Sequence, residues 1–334
     1  VLGRIYAIAL TAFREAIRDR ILFAVLGLAA ASVFLGLGLG GISASGAVRV
    51  LVDHGLVTTS LLANLVAIFL GANFLYKELE LRTLYVLLAR PVSRHELVLG
   101  KYAGILLTVT VVVSLTASLV LGLAITTAAE ESPAALARAA AWAPWLSRLL
   151  ITRGARLAAL VAVPVALGSV ALVPRLRRAL TLGAVVPAAV LTLLGVGAVG
   201  RAVVPEEADF VLRASALVLG ETAVVAAGSM FFSAFSTPFV TGMFSVGLFA
   251  IARSTWLMQH LPRRFPAAGR VALETVARVV PNQHLFVPNR EVLVPASLQL
   301  DVGRYLLDAM VYAGAYALVF LLAAVALFRR RDLV

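Results

Sequence analysis

The sequence predicts an all-α polytopic membrane protein, and three observations carry that prediction. Of its 334 residues 61% are hydrophobic and only 14% are charged, where a soluble domain carries about 25% charged residues. Mean hydropathy is +0.99. Apolar runs of roughly the 20 residues needed to cross a bilayer recur along the whole chain. A transmembrane β-barrel would instead show short segments of alternating polarity, and none are present. The absence of cysteine excludes disulfides, thiolate metal sites and a cysteine nucleophile. The net charge of +12 is assigned to loops on the cytoplasmic side of a membrane rather than to nucleic acid binding.

The chain reads as one membrane domain, 1–334. Residues 1–19 are amphipathic: Ile5, Ala9, Phe13 and Ile17 share one face, and Arg4, Thr11, Arg14, Glu15 and Arg18 another. That pattern predicts a helix lying in the membrane interface with its arginines near lipid headgroups. The plainer alternative is an extension of the first membrane helix. The charges from Arg14 to Arg20 do not resemble the apolar core of a cleavable signal peptide.

Six core membrane helices are expected, over residues 21–42, 55–76, 102–129, 211–232, 238–252 and 305–328. Residues 130–205 are atypical. There Trp142 and Trp145 suit a membrane interface, and the apolar runs 157–173 and 179–200 flank a basic turn at 174–178. This predicts an extra hairpin with its basic turn inside, although Arg148, Arg153 and Arg156 then lie outside, against the positive-inside rule. Arginines before the first helix, and Arg329, Arg330 and Arg331 after the last, place both termini in the cytoplasm. The loop 253–303, rich in proline and arginine, is expected to be extracytoplasmic.

Enzyme signatures are missing. The sequence contains no G-x-x-x-x-G-K-[ST] phosphate loop, no H-E-x-x-H and no G-x-S-x-G. His54, His95, His260 and His284 are scattered singly. No catalytic, cofactor or metal residue is therefore assigned to this chain. Within the apolar runs the polar residues that stand out are Asn64, Asn73 and Glu221. Glu221 lies near the middle of its expected helix, where an ionisable group is costly and points to function by default. A protonated glutamic acid hydrogen-bonded to a neighbouring helix is the plainer alternative.

Residues 76–102, YKELELRTLYVLLARPVSRHELVLGKY, form a polar island with five lysines or arginines and three acidic residues. Glu78 and Arg82 are spaced as a stabilising i, i+4 helical pair. Pro91 disfavours helix at Arg90, and Ser93-Arg94-His95-Glu96 has the S-x-x-E form of a capping box ahead of an apolar run. The spacing predicts a helix, a break and a second, capped helix: a rigid elbow at 77–101. Further on, SAFSTPF (233–239) reads as a tight turn. There Ser236 or Thr237 can cap a new helix with Pro238 at its first position, where a missing N–H costs nothing.

The string KELELRTLYVLLARPVSRHELVLGKYAG resembles the segment between the second and third membrane helices of ABC-2-type transporter permeases. Those typically read E-x-E-x-x-T, then L-L-x-x-P-V-S-R-x-E, then G-K. Similarity continues in ALTAFREAIRDRIL, FFSAFSTPFVTGMFSVGLF, VVPNQHLF and ALFRRRDLV, in the family's order and over about half of the chain. Within the superfamily the closest likeness is to the permease branch of copper-enzyme (nitrous-oxide reductase) maturation. Residues 130–205 do not follow the usual pattern.

The resemblance implies six core helices of type V exporter-like architecture, a homodimer, and a separate cytoplasmic ATPase subunit that binds ATP and Mg. A coupling helix would fall within residues 78–96, with Glu78, Glu80, Arg82, Thr83, Pro91, Ser93, Arg94 and Glu96 as ATPase-coupling residues. Gly100 and Lys101 also match the family pattern. Ser236, Thr237 and Pro238 would form a second cytoplasmic contact, and an extracytoplasmic partner protein is compatible. The expected location is the inner (cytoplasmic) membrane. A second reading is a non-transporting scaffold that recruits a cytoplasmic factor for enzyme maturation. A secondary transporter would show inverted repeats and broken helices, which the sequence does not display. The helices hold too few polar groups to specify a substrate.

Overall fold

A computed structural model describes residues 2–42, 46–73, 93–142, 184–260, 267–294 and 301–330. Among these residues it is all-helical. The order is α1 (Leu2–Arg18), α2 (Arg20–Ile42), α3 (Ala47–Ala72), α4 (Arg94–Glu131), α5 (Pro133–Trp142), α6 (Val185–Val203), α7 (Pro205–Ser233), α8 (Pro238–Arg253), α9 (Thr255–His260) and α10 (Ala267–Val279). A 3₁₀ turn at Gln283–Phe286, α11 (Arg290–Leu293) and α12 (Val302–Arg330) complete it.

Among the described residues six helices, α2, α3, α4, α6, α7 and α12, are long and apolar enough to cross a membrane. The sequence predicts six core spans plus an extra hairpin; among the described residues six long apolar helices are present, and the membership differs. The expected span 238–252 is α8, whose 16 residues reach about 24 Å against a hydrocarbon core of roughly 30 Å. In its place stands α6, which corresponds to the second arm of the expected hairpin. The first arm, 157–173, lies outside the described residues. Helix starts also move outward. α3 begins at Ala47, after Gly46 in a left-handed conformation (φ 91°), so Arg49, Asp53 and His54 are helical. α4 begins at Arg94, so the second half of the polar island is continuous with a membrane span.

The core helices are α3, α4 and α7, whose most apolar stretches are more than 70% buried, while those of α2, α6 and α12 are under 30% buried and form the shell. Close approaches and hydrogen bonds join them. Gly55 of α3 faces Val120 of α4, where a Cβ would lie 2.5 Å from Val120 Cγ2. α3 and α7 run parallel, joined by three hydrogen bonds at one constant offset. Ser60 Oγ donates to Glu221 Oε2 (2.6 Å), Ser229 Oγ to the Ile68 carbonyl (3.0 Å), and Ser233 Oγ to the Ala72 carbonyl (3.3 Å). Small residues permit this seam: a Cβ on Gly71 would lie 2.7 Å from Ser229 Cβ. Small side chains that let backbones approach, with hydroxyls bonding across, are the usual means of joining apolar helices in lipid.

α1 is a separate helix rather than an extension of α2. Asp19 interrupts the two, and its Oδ1 accepts the Ile21 N–H (3.1 Å). The expected apolar face is real, but part of it packs on protein. Phe13 is fully buried with Val111 of α4 and Ala189 of α6. Gly100 and Gly104 of α4 let α1 sit close, since a Cβ on Gly104 would come within 2.8 Å of the Ala9 carbonyl oxygen.

The segment after α8, expected as an outer loop, enters the bundle in part. Thr255 Oγ1 donates to Asn282 Oδ1 (2.7 Å), and the Asn282 N–H donates to Tyr312 Oη of α12 (2.7 Å). Tyr305 Oη donates to the Leu285 carbonyl (2.6 Å). Phe286 is fully buried, and a Cβ on Gly220 would lie 2.9 Å from its ring. Gly220 is the neighbour of Glu221, so this turn reaches the depth of the buried carboxylate.

Candidate functional site

Three places gather polar side chains. One is the start of α4. Of the expected coupling residues, Glu78, Glu80, Arg82, Thr83 and Pro91 lie outside the described residues, and Ser93, Arg94 and Glu96 are described. Ser93 is the N-cap, and its N–H donates to Glu96 Oε2 (3.0 Å) in a capping box, as the S-x-x-E spacing predicts. Ser93 Oγ lies 3.1 Å from His95 Nε2. Glu96 is only 3% exposed, with Arg4 of α1 at 3.9 Å. Arg94 turns the other way. Its Nη1 donates to the Phe328 carbonyl near the end of α12 (2.6 Å), and its guanidinium lies 5.4 Å from the Phe328 ring centroid. A cation on the last carbonyls of a helix is favoured by the helix dipole. The start of α4 is thus tied to α1 through Glu96 and to α12 through Arg94. An open cleft beside it is lined by Glu15, Asp19, Asn73 and Lys101.

The α7–α8 turn has the expected form. Thr237 is the N-cap of α8 and Pro238 its first residue. Thr237 contributes its backbone, with its carbonyl accepting the Thr241 N–H (2.8 Å). Ser236 does not cap α8 through that backbone position. Its Oγ donates back to the Phe232 carbonyl of α7 (2.8 Å) and lies 2.6 Å from Thr241 Oγ1, which pins the two helices at the turn.

The second place is inside the bundle, where Glu221 is completely buried. Its Oε2 accepts from Ser60 of α3, and its Oε1 accepts from Nη1 of Arg253, the last residue of α8. Ser60 Oγ also lies 3.4 Å from Arg253 Nη1, and the Arg253 guanidinium is 5.7 Å from the Phe249 ring centroid. Glu221 is thus one partner in a three-helix polar contact rather than a lone acid. The length of α8 creates the pair. Arg253 stands 15 positions after Pro238 and Glu221 stands 12 before Ser233, about 22 and 18 Å of helix from the shared turn. A full-length span would carry its end past Glu221.

Polar groups continue sideways from this pair along α3. Asn64 Nδ2 donates to the Ser60 carbonyl (2.9 Å), and its buried Oδ1 has no protein partner. On the other side, Ser32 Oγ of α2 lies 3.1 Å from His54 Nε2 and 3.0 Å from Thr58 Oγ1. Sequence reasoning singled out Glu221 but left Arg253 in the outer loop. The available signal is that Arg253 is the only Asp, Glu, Lys or Arg between Glu221 and Arg263.

At the far end of the bundle, Arg290 of α11 bridges Asp53 of α3 (2.9 Å) and Glu207 of α7 (2.8 Å) and lies 4.4 Å from the Phe210 ring centroid. Burial opposes its charge, but hydrogen bonds and the fields of Glu207 and Asp53 outweigh this and raise its pKa above the ordinary arginine value. Arg213 donates to the Leu293 carbonyl. These contacts strap α11 across α3 and α7. Among the described residues no group of three or more acidic or histidine side chains is placed to hold a metal ion. Neither a protein-family model nor a curated protein matches this chain.

Proposed function

We propose that this chain is the membrane-spanning permease subunit of an ABC transporter. It pairs with a second copy in the inner membrane, with both termini in the cytoplasm. ATP and Mg bind a separate ATPase subunit, and this chain converts the ATPase's motion into translocation of cargo. The motif resemblance at residues 77–104 motivates the reading. The observation that carries it is mechanical: the helix that starts at the Ser93 cap runs unbroken for 38 residues to Glu131, about 57 Å. Its first turn holds α1 and α12 by side-chain bonds. A push delivered just before Ser93 reaches the far end of the bundle without passing through a loop.

This reading gives the expected coupling residues distinct roles. Arg94 and Glu96 transmit within the chain, because their side chains are engaged with α12 and with the Ser93 cap and α1. Contact with the ATPase then belongs to the segment that precedes them. The test is Arg94→Ala, with the purified protein combined with ABC ATPase subunits from its source organism. The expected outcome is unchanged binding of the ATPase and loss of coupling between ATP hydrolysis and transport. Weakened binding would return Arg94 to the docking surface. If no nucleotide-hydrolysing subunit binds the wild-type chain, the permease reading is wrong and the scaffold reading stands.

A further inference from the structure

Arg253 has more donors than its partners use. Glu221 and Ser60 both engage Nη1, and neither Nε nor Nη2 has a hydrogen-bond partner among the described residues. Nε–H and Nη2–H form the side edge of the guanidinium, whose spacing matches two oxygens of a carboxylate or phosphate. The side chain is 24% exposed, so this edge opens to the surface of the bundle. In an apolar surrounding an unpaired donor costs free energy, and no side chain among the described residues meets it.

The same face of α8 is apolar and uncovered. Phe239, Met243, Val246, Ala250 and Arg253 follow at three- and four-residue spacing, so they form one stripe along the helix, and the first four are exposed. Phe239 is 78% exposed and Val246 51%. The opposite side of α8 is the packed one, with Thr241, Ser245 and Ala252 buried. An apolar stripe about 20 Å long therefore ends at an unused guanidinium edge.

From this juxtaposition we infer that α8 carries a binding site for an anionic amphiphile, its carboxylate or phosphate on Nε and Nη2 of Arg253 and its apolar chain along Phe239, Met243, Val246 and Ala250. Glu221 competes for the same cation. It keeps Arg253 neutralised while the site is unoccupied, and an arriving anion takes over part of that charge. The binding does not depend on the permease reading; only the further step, that this amphiphile is the cargo, rests on it.

The experiment uses the full chain in nanodiscs of zwitterionic phosphatidylcholine. The probes are a fluorescent stearic acid and its methyl ester, which share a tail and differ in charge. The wild type should bind the acid in preference to the ester. Glu221→Gln removes the competitor and should tighten acid binding by about tenfold while leaving the ester unchanged. Glu221→Gln combined with Arg253→Gln keeps the buried pair neutral and packed, and should bind acid and ester alike. Equal affinity for acid and ester in Glu221→Gln, or acid preference persisting in the double variant, would overturn the site. Adding phosphatidylglycerol to the nanodiscs then separates the sources. Displacement of the acid identifies a bilayer lipid as occupant, and no displacement identifies a free amphiphile; both sustain the site. Measuring ATPase coupling separately shows whether occupancy belongs to a transport cycle.

Discussion

The start of α4 and the Glu221 pair both use charge to join helices, under opposite physical conditions. At Ser93–Glu96 the charges stand at a helix end, where cap and dipole interactions contribute modestly. At Glu221 the carboxylate is fully buried, and taking charges out of water is expensive unless the partner is held in place. Removing one charge at the first place should loosen a joint. Removing one at the second should strand the other.

The sharpest way to break this comparison is Arg253→Gln. It leaves Glu221 without its counter-ion and should destabilise the protein by roughly 3–5 kcal/mol, the usual cost of breaking a buried pair. Thermal melting in nanodiscs would register this as a large drop. Glu221→Gln combined with Arg253→Gln should recover most of it. If both melt alike, the ion pair is incidental to packing.

Next in size is the α3–α7 seam. Gly71→Val forces a side chain against Ser229, and overpacking of this kind costs about 1–3 kcal/mol. The same melting experiment reads it, and an unchanged midpoint would mean the helices separate easily. Gly104→Val should act more locally, displacing α1 from α4 because the nearest obstacle includes backbone. Protease cleavage after Arg14 or Arg18 should speed up with little change in the melting of the remaining bundle. The smallest expected change in stability is at the α4 joint. Arg94→Ala removes one bond to α12 and should barely move the melting midpoint, while coupling falls.

The two regions were also unequally legible. The capping box could be read because its partners stand three positions apart, and a local bond needs only local sequence. The long apolar helices could be read because their length and uniform hydropathy admit few alternatives. Glu221 could be flagged from the cost of burying it, but its partner could not be named. Arg253 stands 32 positions away, and it reaches Glu221 only because α8 stops short of a full crossing. Periodicity does not reveal that stop, since the apolar pattern through Ala252 suits a short helix and a truncated span equally. For the same reason 179–200 read as half of an optional hairpin and 238–252 as a core span. Asn282 was legible only as part of a family-like string; its role in tying α9 to α12 depends on three distant segments meeting.

The most direct test of the proposed coupling is ATP hydrolysis in lipid vesicles holding this chain and an ABC ATPase subunit from its source organism, comparing the wild type with Arg94→Ala. The account predicts that both forms retain the ATPase and that only the wild type links its hydrolysis to movement of cargo. A variant that loses the ATPase altogether, or one that couples as well as the wild type, would contradict it.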